Sequence, residues 1–470
     1  MRCHLAVDIG ASGGRHIVGW LEDGGIRTRE VYRFPNGAAR QGGHLCWDVE
    51  GLFRHVVEGM AACKAQGFTP ETMAIDTWAV DYVLLDEQGD RLGETVAYRD
   101  ERTQGMDGLL EAALPFSRHY RLTGIAKQPF NTVYQLMATL REHPEYREQA
   151  ADFLLIPEYL NYRLTGCKAH EWTNVSTTAL ADAETHAWST EVLQAAGLPQ
   201  SWFRTPILEP GEALGGLLPQ VSARAGFECK VILPASHDTG SAYMAVPARG
   251  EGAAFLSSGT WSLLGTELPE PLTGPDSLAA GFTNEGGWDH TTRYLKNIMG
   301  MWMLQCLRKE TGERYTYAEM AEMAATSAYP AWIDATDNRF LAPASMLAEV
   351  KAALAEAGAP QPKTLADVLR AVTVGLAVCY RDSIREMATL TGHEFTSVNI
   401  VGGGSQNRTL NQLTADWTGL PVYAGPTEGT ALGNLAAQML ACGEFTDLRQ
   451  VRRALAAGGD IQAYQPQQHQ

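Results

Sequence analysis

His4-Leu5-Ala6-Val7-Asp8-Ile9-Gly10 is followed by Ala11-Ser12-Gly13-Gly14, and then by Arg15-His16-Ile17-Val18-Gly19-Trp20. The first run is apolar on both alternating faces, the signature of a buried strand. The Ser/Gly segment makes a tight turn, and the third run is a second strand. Glu22-Asp23-Gly24-Gly25 closes it, and the strand and turn pattern continues to Phe34. Roughly 250 residues later the same logic returns. Ala253-Ala254-Phe255-Leu256 runs into Ser257-Ser258-Gly259-Thr260 and resumes as Trp261-Ser262-Leu263-Leu264-Gly265. Recurrence of architecture without recurrence of sequence predicts two related domains, with a boundary near residues 243–252.

Between the strands of the first half lies a crossover helix. Asp48 caps it, and Leu52, Val56, Val57, Met60 and Cys63 share one face. Met73-Ala74-Ile75 then makes a short buried strand ending at Asp76, and Tyr82 to Leu85 another. Strands alternating with a crossover helix indicate an α/β class. Residues 131–165 read as two helices, the first capped by Asn131 and the second opened by Ile156-Pro157. The stretch from 166 to about 230 is rich in Pro and Gly and reads as loose. The second half carries a long helix from Thr364 to Thr391, with a Thr364/Asp367 capping box. A strand Val398 to Val401, a glycine run, a helix Arg408 to Trp417, a strand Val422 to Ala424 and a helix near Thr430 to Cys442 follow. The division expected is 1–245, 250–445 and a tail at 446–470, frayed from Gln462 onward.

The chain has 470 residues, 45% apolar and 19% charged, with a formal net charge of −17. That length and composition suit two domains with ample cores. The acidic balance excludes an ordinary nucleic-acid binder. No apolar run approaches the roughly 20 residues of a membrane helix. Asp8 stands where a signal peptide needs its apolar core, and eight scattered cysteines without C-x-x-C suit reduced thiols. A cytoplasmic protein without nucleic-acid or membrane partners is therefore expected, and a monomer is compatible with the sequence.

Three Ser/Gly turns follow apolar strands, at 10–14, 257–260 and 402–405. Each can aim backbone N–H groups at an anion, though none fits the Walker or G-x-G-x-x-G patterns. Three aspartates end or follow apolar strands: Asp8, Asp76 and Asp238. Phosphoryl transfer needs a metal, donors for the phosphates and a carboxylate to take a hydroxyl proton. Asp8 beside its turn suits metal-bound water. Asp238 stands in Val231-Ile232-Leu233-Pro234-Ala235-Ser236-His237-Asp238-Thr239-Gly240-Ser241-Ala242. It reads either as a helix cap or as a general base. A helix beginning there would favour its ionised form through its positive end.

Taken together these segments resemble the FGGY sugar kinases. Val7 to Arg15 is similar to their first phosphate motif, Ser257 to Ser262 to their second, and Gly402-Gly403-Gly404-Ser405-Gln406-Asn407 to their adenosine motif. Ile75 to Trp78, Ala97 to Asp100, Ala235 to Thr239, Thr283 to Gly287 and Leu295 to Gly300 resemble the branch that phosphorylates L-rhamnulose. The resemblance implies two actin-like, ribonuclease H-like α/β domains around a central cleft, with ATP and Mg²⁺ mostly on the C-terminal side and the ketose on the N-terminal side. It implies transfer to the C1 hydroxyl of L-rhamnulose. By the same resemblance Ala11, Ser12, Gly13, Gly14, Arg15, Thr260, Asn297, Gln305 and Gly403 contact ATP. His237, Asp238 and Thr239 contact the sugar, with Asp238 as base. Ala79 stands where the family has Gly, which leaves L-fuculose or L-ribulose as alternative ketoses. A chaperone or non-catalytic sensor on the same fold is the alternative of another class. The Mg²⁺ ligands are not implied.

Overall fold

A computed structural model describes residues 2–248, 250, 252–458 and 461–467. β1 (His4–Gly10) pairs antiparallel with β2 (Gly13–Glu22), which pairs with β3 (Gly25–Pro35). The helix α1 (Val49–Ala65) follows, and its N-cap Asp48 accepts from the Gly51 N–H at 2.8 Å. It leads to β4 (Thr72–Thr77), parallel to β1 with Asp8 opposite Asp76. β5 (Ala213–Gly216) and β6 (Lys230–Ile232) complete a six-stranded sheet in the order β5-β6-β4-β1-β2-β3. The Pro- and Gly-rich stretch that reads as loose in sequence thus supplies strands: β6 pairs with the distant β4, and β5 is added beside β6.

β1 is buried on both faces, as its two-sided apolar pattern requires. Leu5, Val7 and Ile9 pack with Leu52, Val56, Val57 and Met60 of α1. Ala6 and Ile17 pack with Ala431 and Leu435 of the helix Gly429–Ala441. Each such large aliphatic side chain contributes about 1.5–3 kcal/mol on full burial. Asp8 lies on the Ala6 side of the strand, one step along the pleat.

Compactness divides the chain otherwise than the sequence does. One unit comprises Met1–Ala245, Glu267–Tyr294 and Thr430–Gly458, the other Val246–Thr266, Leu295–Gly429 and Gly459–Gln470. The expected second domain at 250–445 therefore gives two of its segments to the first unit. Part of the tail expected to fray is regular structure, and residues 468–470 lie outside the described residues. The helix Leu448–Ala457 occupies part of the tail, and three residues from Gln462 form a strand.

In the second unit β7 (Ala253–Ser258) turns into β8 (Trp261–Leu268), with Ser258 opposite Ser262. Then come α3 (Trp302–Glu310) and α4 (Leu365–Thr391). The Thr364 hydroxyl accepts from the Asp367 N–H at 3.2 Å, and the Asp367 carboxylate from the Thr364 N–H at 3.0 Å, completing the capping box. β9 (Ser397–Val401) runs parallel to β7, α5 (Arg408–Thr418) follows, and β10 (Val422–Ala424) runs parallel to β9. β11 (Gln462–Tyr464) closes the edge antiparallel to β10. Among the described residues no helix is long and apolar enough to cross a membrane.

Candidate active site

Three carboxylates gather in the first unit because three segments end together. Asp8 and Asp76 share a register position on neighbouring parallel strands. Beyond β6 the chain rejoins the sheet through a single bridge between Thr77 and His237, and the Thr77 N–H donates to the Ser236 carbonyl at 2.9 Å. The next residue, Asp238, opens α2 (Asp238–Met244). His237 occupies the N-cap position, so the cap reading of Asp238 is corrected: it lies within the first helical turn.

Their environments differ. The Asp8 Oδ2 accepts from Arg15 Nε at 3.0 Å and Nη2 at 2.8 Å, across the hairpin where the two residues face each other. Asp76 is fully buried, and its Oδ2 accepts from the Asn434 amide at 2.6 Å. Its Oδ1 is buried with no hydrogen-bond partner among the described residues. Burial, and then the charge of Asp8, hold the Asp76 carboxyl well above its ordinary value, against the Asn434 bond. Asp238 is the most exposed of the three, its side chain 35% exposed against 9% for Asp8. Burial of the remainder raises its pKa, His237 opposes that and Asp8 adds to it.

The segment around His237 is fixed by residues that sequence reasoning missed. Glu171 is fully buried and accepts from Thr173 N at 2.8 Å, Thr173 Oγ1 at 2.6 Å, Ser236 N at 3.0 Å and Ser236 Oγ at 2.5 Å. Arg293 is also fully buried. Its Nε donates to the Gly286 carbonyl at 2.7 Å, and its Nη1 lies 3.0 Å from Glu285 Oε2, close but not aligned for a hydrogen bond. Burial raises the Glu285 carboxyl, but Arg293 and then His237 outweigh it and hold the acid below its ordinary value. His237 Nδ1 is 3.2 Å from Arg293 Nη2. The same Nδ1 lies 3.3 Å from Glu285 Oε2, and Nε2 lies 3.4 Å from Asp238 Oδ1, so the ring stands between two carboxylates. Thr239 Oγ1 donates to the same Asp238 oxygen at 3.1 Å. Of these supports Ser236, Thr239, Glu285 and Gly286 lie in segments that the family resemblance picks out, whereas Glu171, Thr173 and Arg293 do not.

Ala79 is half-buried in a turn whose strain lies next door, at Val80, with φ of 70°. A β-branched residue adopts that conformation only when its surroundings impose it. The Val80 carbonyl accepts from Thr132 Oγ1 at 2.8 Å and Gln135 Nε2 at 3.2 Å. Asp81 accepts from the indoles of Trp47 at 2.6 Å and Trp78 at 2.9 Å. Burial raises the Asp81 carboxyl to about 6.

Ala11 and Ser12 form the β1–β2 turn, with Gly13 and Gly14 opening β2. Gly14 is dictated by packing, since a Cβ there would fall inside the Phe34 ring. In the second unit Thr260 forms the β7–β8 turn, and its carbonyl accepts from the Trp302 N–H at 3.1 Å. The glycine run passes against β7. A Cβ at Gly404 would overlap the Ser258 side chain and approach its carbonyl oxygen to 3.1 Å, whereas Gly403 faces open space. Asn297, on the strand Thr292–Met299, and Gln305, on α3, are both half-buried. Asn131 keeps the N-cap position of its helix, but its side chain accepts from the Gln128 N–H at 2.7 Å instead of capping. A cavity of about 250 Å³ in the first unit, lined by His44, Cys46, Tyr82, Arg102 and Thr139 among others, includes none of the three carboxylates.

Residues 3–245 match the N-terminal domain model of the FGGY family of carbohydrate kinases, and residues 254–442 match its C-terminal domain model. A rhamnulokinase of Oceanobacillus iheyensis is 41% identical over 463 residues, covering 98% of both chains. One of Bacillus subtilis is 40% identical over 468 residues, covering 98% of this chain and 95% of its own. A ligand-bound xylulose kinase from Lactobacillus acidophilus superposes with a TM-score of 0.82 at 16% identity, covering 99% of this chain and 94% of its own. Plasmodium falciparum glycerol kinase with ADP gives 0.79 at 15% identity, with the same coverages. At such identities the superpositions establish a shared fold.

Proposed function

Because the chain belongs to the FGGY family of carbohydrate kinases, we propose that it transfers the γ-phosphoryl group of ATP to the C1 hydroxyl of L-rhamnulose, yielding L-rhamnulose 1-phosphate and ADP. The observation that carries the choice of ketose is about 40% identity to rhamnulokinases along nearly the whole chain. The base follows from exposure. Asp8 is tied to Arg15, Asp76 is sealed, and Asp238 is the one carboxylate of the three that a hydroxyl reaches.

Asp238 accepts the C1 hydroxyl proton as the oxygen attacks the γ-phosphorus in line. Its raised pKa makes it a stronger base than an ordinary carboxylate. His237 and Thr239 orient Asp238 and the sugar, and Ala79 in its clamped turn limits the room beside the ring. Ala11, Ser12, Gly13, Gly14 and Arg15 hold the phosphates, and Thr260, Asn297, Gln305 and Gly403 contact the nucleotide. Asp8 and Asp76 fit a magnesium ion, since two hard carboxylates lie in adjacent register and one has a buried, unpartnered oxygen. Bound there, Mg²⁺ offsets phosphate charge. The protein would act in the cytoplasm.

A coupled ADP-release assay across L-rhamnulose, L-fuculose, L-ribulose, D-xylulose and glycerol tests this. L-Rhamnulose gives the highest kcat/KM. Faster turnover of another ketose refutes the choice of substrate, and no turnover of any refutes the kinase reading.

A further inference from the structure

Three donors from three separate connections of the first unit converge apart from the carboxylates described above. His186 Nδ1 lies 3.0 Å from Glu209 Oε1, and His290 Nδ1 lies 3.4 Å from the same oxygen. One ligand atom of each residue falls within 4.8 Å of the other two. The His186 ring is already oriented: it stacks on Trp172 with centroids 3.9 Å apart and planes 16° from parallel. Glu209 Oε2 is buried with no hydrogen-bond partner among the described residues. Both histidines adopt the left-handed region, with φ of 54° and 59°, and Asp289 beside His290 does so at 55°. Such backbones persist when surrounding interactions over-determine them. Both imidazole Nδ1 atoms converge on the same carboxylate oxygen, the donor that a cation would share with them.

We propose that His186, Glu209 and His290 bind one divalent transition-metal ion of the zinc class. Two imidazoles and one carboxylate suit Zn²⁺, Co²⁺ or Ni²⁺, while Mg²⁺ and Ca²⁺ prefer all-oxygen sets. With metal–ligand bonds near 2.0–2.1 Å, a tetrahedral site has ligand separations of about 3.3 Å. The observed 3.0 and 3.4 Å to Glu209 bracket that value, and ligand atoms of the two histidines lie within 4.8 Å of each other. Three protein ligands leave a fourth position for water. The ion would tie together the turns carrying His186, Glu209 and His290. Glu209 and His186 are mostly buried, while His290 is 68% exposed and provides the way in.

The full chain is stripped with a chelator, kept free of nucleotide, and titrated with Zn²⁺ alone by calorimetry against a competing chelator. One equivalent binds, and Mg²⁺ does not compete. Cobalt added in its place gives the visible absorption of a low-coordinate site. His186→Ala with His290→Ala weakens Zn²⁺ by more than about 100-fold, beyond what loss of an outer-shell partner causes. Cys167→Ser, which removes an exposed thiol, leaves binding unchanged. If the double variant does not fold, His290→Ala alone, at an exposed position, weakens binding at least about tenfold. No Zn²⁺ uptake, full uptake by the histidine variants, or loss of uptake in Cys167→Ser overturns the proposal.

Discussion

Replacing Arg293 by Met tests how the His237 segment is held. Met approximates the length and apolar stem of Arg but removes every donor. Glu285, only 7% exposed, then loses the cation 3.0 Å away, the Gly286 carbonyl loses its 2.7 Å bond, and His237 Nδ1 loses its donor. Breaking a buried pair by removing one partner costs about 3–5 kcal/mol, because the remaining charge is uncompensated. At about 2 °C per kcal/mol for a unit this large, the Tm falls by about 6–10 °C. The cost is not the worth of the pair, so Glu285→Gln in the Arg293→Met background recovers a substantial part of it. Thermal and urea unfolding of the wild type, both single variants and the double variant give the cycle. Kinetics add a second readout: in Arg293→Met the ketose KM rises while the ATP KM holds. A Tm within about 1 °C of wild type, or a double variant no more stable than Arg293→Met, refutes the reasoning.

Asp238→Asn binds ATP normally and loses about 10²-fold or more in kcat; activity within a few-fold of wild type returns Asp238 to a purely structural part in its helix. Asp76 has a folded pKa above its unfolded value, so the folded state holds this proton more tightly. Its contribution to stability therefore falls as pH rises from the ordinary carboxylate range through the raised value. Without Mg²⁺, Asp76→Asn removes that fall, and the Tm advantage of the variant over wild type is larger at pH 8 than at pH 5. An equal difference at both pH values shows that Asp76 carries no such penalty.

Much of the scaffold is legible in short windows. The two-sided apolar run His4 to Gly10, the stripe Leu52, Val56, Val57, Met60, and the Thr364/Asp367 box are local patterns, and each becomes the expected element. Local signals fail where composition is weak and pairing decides. Ala213–Gly216 and Gln462–Tyr464 are weak strands by composition, and they are strands because Lys230–Ile232 and Val422–Ala424 present open edges.

The sequence by itself determined that acids stand at Asp8, Asp76 and Asp238, each after an apolar run, and that Ser/Gly turns accompany them. Only the tertiary structure decided their chemistry. Asn434, 358 residues from Asp76, binds one of its oxygens and leaves the other sealed without a partner. Arg15 claims Asp8, and most of the remaining exposure falls to Asp238. Arg293, 56 residues beyond His237, lies 3.2 Å from its ring nitrogen. A carboxylate's proton affinity follows the water and charge around it, and those are set by which distant segments pack beside it.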